Sequence, residues 1–443
     1  MKILRQVKVV MLLALVFTIP LLAWIEAEAY MLPDTGQPLC YEYDSGTVVS
    51  CGTSGEDGQY IINPMSFTDN GSGTVTDNNT DLMWQKCSAG QTNDTDCSGT
   101  ALTYNWYQAT GTYHDSYNPS SQTICGALNS SNFAGYQDWR LPSALELQTI
   151  VDYSIASLSP SIMAASFPNT QVDYYWSTST DPYHLSYAWH VHFGSGIVNR
   201  DSRSSSTNYV RCVRGAQTVQ SFTDNGNDTV TDNKTGLIWE KGEAGPYTWG
   251  SALSYCADMG QPWRLPNIKE LASLIDFSMP NLIDTTTFPD SLSNFDYWSS
   301  TTDVLHPYDT WGVHFVNDSA YYGSGGVSLG YSKVSNTRYV RCVRGGINVC
   351  PEHAATIIGT TNYYSTIQSA YLAAHVADSI LVQAMFLTEN LSFDRSNIPV
   401  ALKGGYNCNT YDHSFGTKSG YTTLLGKLTI SGGTVTVENL IIK

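Results

Sequence analysis

Tyr209-Val-Arg-Cys-Val-Arg-Gly215 recurs as Tyr339-Val-Arg-Cys-Val-Arg-Gly345. β-Branched and aromatic residues favour strands and glycine ends them, so each copy reads as a strand that closes a structural unit. Alternation along the strand puts Tyr209, Arg211 and Val213 on one face and Val210, Cys212 and Arg214 on the other. The sequence before each copy is doubled too. Residues 67–86 and 222–241 agree at 14 of 20 positions. Trp139-Arg-Leu-Pro142 returns as Trp263-Arg-Leu-Pro266, and Tyr175-Trp-Ser177 as Tyr297-Trp-Ser299. This period far exceeds the roughly 20–50 residues of solenoid units, so 67–215 and 222–346 read as two tandem globular domains.

Residues 1–29 have the layout of a secretory signal: Lys2, Arg5 and Lys8, an apolar run over 9–23, and Ala27-Glu-Ala29 before Tyr30. The run is short for a span of about 20 residues, and no later stretch is apolar enough to cross a bilayer. The formal charge is −17 on 443 residues, a balance that excludes nucleic-acid binding by phosphate neutralisation. Residues 30–66 form a Gly/Pro/Asp-rich leader. Its Leu32-Pro-Asp-Thr-Gly36 matches a sortase signal in letters alone, at the wrong end of the chain.

The ten cysteines sort by region. Cys125 and Cys212 lie in the first repeat, and Cys256 and Cys342 hold the matching places in the second. Cys40/Cys51 and Cys87/Cys97 are close local pairs, and Cys350/Cys408 remain for 347–443. Every cysteine thus has a partner within its own unit, as in an oxidising compartment. A metal site is the rival reading, but no Cys/His cluster has ligand spacing.

Within each repeat, Asn70-Gly71 and Asn225-Gly226 mark tight turns. The Asp/Asn content there could suggest calcium, yet EF-hand spacing is absent. Tyr104-x-Trp106-x-x-Ala109 and Tyr247-x-Trp249-x-x-Ala252 start helices. Ser143-x-x-Glu146 and Asn267-x-x-Glu270 are capping boxes that open a second helix. Leu147, Ile150 and Val151, like Leu271, Leu274 and Ile275, give that helix one buried face. The ten tryptophans beyond the signal fall into matched pairs, which reads as scaffold. Arginines 140/264, 211/341 and 214/344 read as scaffold ion pairs, with Glu146/Glu270 or Asp152/Asp276 as partners. His190 and His192 share a strand face without a third ligand in view.

These ordered motifs resemble the Lcl C-terminal domain family, a domain of unknown function named for a bacterial collagen-like adhesin. The resemblance covers 67–215 and 222–346. It implies an α+β, C-type-lectin-like fold in each repeat, with a disulfide tying the first helix region to the last strand. Cys125–Cys212 and Cys256–Cys342 fit that layout. The Glu-Pro-Asn and Trp-Asn-Asp calcium motifs of sugar-binding lectins are missing, and Val316-Asn-Asp318 is a partial echo. Segment 347–443, with short evenly spaced strands, is similar to the opening coils of a right-handed parallel β-helix of the pectate-lyase type. It is too short for such an enzyme, and reads as a cap, spacer or docking module.

The leading functional reading is an exported, non-enzymatic binding or adhesion protein with no cofactor, whose partner is an unidentified glycan or protein. Segment 317–337 is rich in Tyr, Ser, Gly and Asn, the composition of adaptable contact loops, and the corresponding 195–208 differs sharply and carries Arg200, Asp201 and Arg203. Candidate contact residues are Tyr183, His184, Tyr187, Arg200, Asp201 and Arg203 in the first repeat, and His306, Tyr308, Tyr321, Tyr322 and Tyr331 in the second. The alternatives are a structural envelope or matrix component, and a polysaccharide-acting or cysteine-dependent enzyme. The last needs free thiols, and the pairing above leaves none.

Overall fold

The computed structural model describes residues 31–442, apart from 53, 61, 122, 156–158, 218–219, 261, 292–295, 316–325, 346–353, 361, 384–385, 388, 409–414, 419–421 and 425. The expected signal segment, 1–29, lies outside the described residues. The leader carries a clipped hairpin, β1 (Cys40–Tyr41) and β2 (Val48–Val49), and one 3-10 turn at Asp57–Gln59.

Each repeat is built from two small sheets. In the first they are formed by β3 (Phe67–Asp69), β4 (Thr74–Asp77), β5 (Met83–Gln85), β6 (Thr103–Tyr104), β7 (Tyr174–Thr180), β8 (Tyr187–His192), β9 (Val198–Ser202), β10 (Asn208–Tyr209) and β11 (Val213–Arg214). The strand orders are β11-β5-β4-β3 and β6-β10-β7-β8-β9. The second repeat repeats both sheets, with β12 (Phe222–Asp224), β13 (Thr229–Asp232), β14 (Ile238–Glu240) and β20 (Val343–Arg344) in one. The other holds β15 (Ala244–Tyr247), β16 (Asp296–Thr302), β17 (Asp309–His314), β18 (Gly326–Ser332) and β19 (Arg338–Val340). Strands dominate, and the helices are short: α1 (Trp106–Thr110), α2 (Ile124–Ser130) and α3 (Ala144–Thr149), then α4 (Trp249–Asp258) and α5 (Ile268–Ser273).

The duplicated heptapeptide is not one strand. Tyr209 pairs with Tyr175 in the five-stranded sheet, whereas Val213 pairs with Trp84 in the four-stranded sheet. The chain leaves the first ladder because Arg211 turns inward, fully buried. Its guanidinium donates to the carbonyls of Gln85 and Lys86 and to Thr170 Oγ1 (2.7 Å), against the ring of Phe167. Arg341 repeats this with the carbonyls of Glu240 and Gly242 and with Ser291 Oγ. Both donate to carbonyls, where the sequence pointed to scaffold ion pairs. The facial alternation survives the break, with Tyr209 and Val213 against one core cluster and Val210 and Cys212 in another.

Both capping boxes form. Ser143 Oγ accepts from the Glu146 amide and Glu146 accepts from the Ser143 amide; Asn267 and Glu270 do the same. Each glutamate also holds its arginine, Arg140 at 2.7 Å and Arg264 at 2.6 Å. The turn carboxylates Asp69 and Asp224 accept from the glycine amides of their turns and pair with Lys86 and Lys241.

Among the described residues, disulfides join Cys40–Cys51, Cys87–Cys97, Cys125–Cys212 and Cys256–Cys342, four of the five pairs expected from the sequence. The fifth expected pair, Cys350–Cys408, is not among these four bonds. Cys350 lies outside the described residues, and so does the side chain of Cys408, whose backbone ends the strand 400–408.

The largest apolar cluster belongs to neither repeat alone. It runs from Leu147, Ile150 and Val151 on and after α3 to Leu271, Leu274 and Ile275 on and after α5, with Trp189 and Trp311 inside it. In segments 195–208 and 317–337, expected as loops, 317–325 lie outside the described residues, and the edge strands β9 and β18 take up 198–202 and 326–332. They begin against each other, since a Cβ on Gly326 would lie 2.8 Å from the Val198 carbonyl.

In the C-terminal segment, strands 379–383, 400–408 and 435–438 form one parallel ladder. A second joins 386–387, 422–424 and 440–442, and a third joins 391–393 with 428–430. These parallel ladders follow the close spacing of the short apolar runs, and strands 355–357 and 415–418 extend the first sheet by antiparallel pairing.

Candidate ligand-binding face

The turn between β7 and β8 is organised by Asp181, which is fully buried. Its Oδ1 accepts from the Tyr183 and His184 amides at 2.8 and 3.1 Å, while Oδ2 meets His184 Nδ1 at 3.0 Å and the Arg200 guanidinium. Arg200 reaches it from β9 and also meets His184 Nδ1 at 3.1 Å. Arg203, just past β9, donates to the Leu185 carbonyl at 2.7 Å and lies 3.7 Å over the Trp106 ring. Five sequence candidates, Tyr183, His184, Tyr187, Arg200 and Arg203, are therefore brought to one turn. Arg200 is spent on Asp181 and is only 10% exposed, so it positions the turn. Tyr183 and Leu185 project to 58% and 73% exposure.

Asp201 faces away from this turn, towards buried His190 (Nε2 at 3.4 Å) and Asn208. Tyr174 covers both histidines, 4.4 Å from His190 and 4.6 Å from His192. Burial drives His190 down to about 3, with the neighbouring His192 adding to the effect, so its imidazole is neutral. In the second repeat Gly312 stands at the place of His190 and the Tyr331 ring fills the space, 2.9 Å from where a Cβ would be. Tyr331 donates to Asp296, which also binds His314 and Arg338, each at 3.0 Å. Tyr331 is thus a packing residue. Tyr321 and Tyr322 lie outside the described residues.

The second repeat keeps the organised turn: Asp303 Oδ1 accepts from Leu305 N and Oδ2 meets His306 at 3.0 Å. Tyr308 packs against the leader, with Gly46 set close to Pro307 and Tyr308. Sequence reasoning missed Asp181 and Asp303, although Asp-x-x-His recurs at both turns. It also missed the aromatic group beside Arg203, where Tyr107 stacks on Tyr117 at 5.9 Å and His114 leans on both. Among the described residues no His/Cys/Asp/Glu group is arranged to hold a metal, and no helix is long and apolar enough to cross a membrane.

A doubled, disulfide-stapled β-rich scaffold with paired Asp-x-x-His turns is the class these features define. The model of the Lcl C-terminal domain family matches residues 73–214 and 228–344, together more than half of the chain, and the protein belongs to that family. No curated protein matches the chain.

Proposed function

We propose that this is an exported, non-enzymatic binding protein whose two repeats, on a C-type-lectin-like plan, hold out contact surfaces for a glycan or protein. The observation that carries the reading is the first repeat's turn, where a buried Asp181–Arg200–His184 group props up exposed Tyr183 and Leu185. Rigid support beneath exposed aromatic and apolar side chains lowers the ordering cost of binding. Four disulfides agree with an oxidising compartment. Combined glycan and protein arrays, probed with the wild type and with Tyr183→Ala/Leu185→Ser, test this. Ligands lost in the variant support it, and an empty array with folded protein sinks it. The structural alternative draws on β9 and β18 lying within their own sheets rather than standing out as loops.

A further inference from the structure

Five matched pairs of residues differ in one respect. In the second repeat Arg264, Ser300, Thr301, Thr302 and Lys333 are buried, none above 2% exposure. Their counterparts Arg140, Thr178, Ser179, Thr180 and Arg203 are all half-buried. The leader makes the difference. Its Tyr60 lies 5.3 Å from the Arg264 guanidinium, Asp57 Oδ2 accepts from Thr301 Oγ1 at 2.7 Å, and Glu56 Oε2 from Thr302 Oγ1 at 3.4 Å. The Gln37 side-chain amide pairs with both the N–H and the carbonyl of Thr302.

The cradle under the leader is kept in the first repeat. Ser179 Oγ accepts from the Ala144 amide at 3.1 Å as Thr301 Oγ1 accepts from Ile268 at 2.9 Å. Arg203 lies over Trp106 as Lys333 lies over Trp249. We infer that this open face of the first repeat docks an acidic polypeptide segment of a partner protein, a turn with adjacent carboxylates and a nearby tyrosine. The groups are those of Glu56-Asp-Gly-Gln-Tyr60 on the second repeat, set here on a more open face that lacks, among the described residues, a neighbour like Asp34. Carboxyl oxygens accept from the hydroxyls of Ser179 and Thr180 and pair with Arg203, and the phenol lies over Arg140.

One observation favours a partner over a second copy: the first repeat adds a wall that the second lacks, Tyr107 with Tyr117 and His114, whose Tyr107 ring is 5.2 Å from Arg203, so the face is shaped for a segment other than the leader. The inference rests on the binding reading, but the probe below is a peptide. An empty array alongside peptide capture, or ligands without peptide capture, tells the two failures apart.

The test adds a disulfide-closed peptide of residues 37–60, carrying a photo-crosslinker at Tyr41, to the full chain. The expected result is saturable binding, crosslinks near 178–185 and 203, and at least roughly tenfold weaker binding by a peptide with Glu56→Gln and Asp57→Asn. That substitution leaves the chain untouched, so misfolding cannot imitate it, and Arg203→Glu in the chain gives the reciprocal loss. No saturable binding, a peptide indifferent to its carboxylates, or crosslinks confined to 299–309 and 333 would overturn the inference.

Discussion

Trp189 and Phe277 meet across the two repeats with ring centroids 4.9 Å apart, and their counterparts Trp311 and Tyr153 meet at the same 4.9 Å. The contact is reciprocal: each repeat gives a β-strand tryptophan and takes up the aromatic residue that follows the other's capping-box helix, α3 or α5. This is the self-complementary pattern of a two-fold dimer, here within one chain. The ring of Trp189 is fully buried and Trp311 is 4% exposed. Trp189→Ala should therefore cost about 3–5 kcal/mol. Urea unfolding of the wild type should take both repeats down in one transition, and Trp189→Ala should lower the midpoint of both. Two separated wild-type transitions would show that the repeats do not share a core.

The cysteine pairs differ in the loops they close. Cys125–Cys212 spans 87 residues and Cys87–Cys97 spans 10. Constraint of the unfolded chain grows with loop length, so Cys125→Ser/Cys212→Ser should cost about 2–5 kcal/mol and Cys87→Ser/Cys97→Ser less. Denaturation midpoints of the two double variants decide the order. Equal losses would point to local strain or packing in place of chain constraint.

Arg140 and Arg264 make the same ion pair in different surroundings. The Arg264 side chain is 1% exposed under the leader's Tyr60, while that of Arg140 is 20% exposed. Breaking a buried pair leaves a charge without compensation, so Arg264→Ala should cost about 3–5 kcal/mol and Arg140→Ala clearly less. Thermal melts of the two variants check this. A larger loss at Arg140 would contradict the leader's role as a cover.

What could be read from sequence was local. Ser143 with Glu146, and Asn267 with Glu270, specify helix starts within four residues, and both form as expected. The cysteines of the leader and the two repeats could be paired by region because each unit holds an even number. The break in Tyr209–Gly215 was hidden because propensity describes a ladder, while Arg211 leaves it to reach carbonyls about 125 residues away. The leader's docking was hidden more completely. Its Gln37–Thr302 contact spans 265 residues and is made by polar side chains that carry no periodic signal. Arg200 looked like a contact residue because nothing in sequence ties it to Asp181.

The leader's seat should also respond to pH. Burial raises Asp34 to about 6 and Asp57 to about 8, the latter pushed further by the charge of Asp34. Burial lowers Lys269 and Lys333 to about 8, against the pull of Asp152, Asp34, Asp77 and Asp57 on the first and of Glu56, Asp309 and Asp303 on the second. A carboxyl raised on folding holds a proton that the unfolded chain has released, so its stabilisation is full below pH 4. It is lost as pH climbs through 6 for Asp34 and 8 for Asp57. The lysines act in the opposite sense, costing stability below pH 8 and relieving it between 8 and 10.5. Between pH 5 and 8 the raised carboxyls lose their stabilisation, while buried His190, held near 3, adds stability as pH rises to 6.5, so the fall in stability lies mainly above pH 6.5, where Asp57 still loses its proton. Melting temperatures should therefore be higher at pH 5.5 than at pH 8, and Asp57→Asn, which fixes the neutral form, should narrow the gap. An Asp57→Asn variant whose melting temperature changes between pH 5.5 and 8 as much as that of the wild type would mean that Asp57 is ionised where it lies.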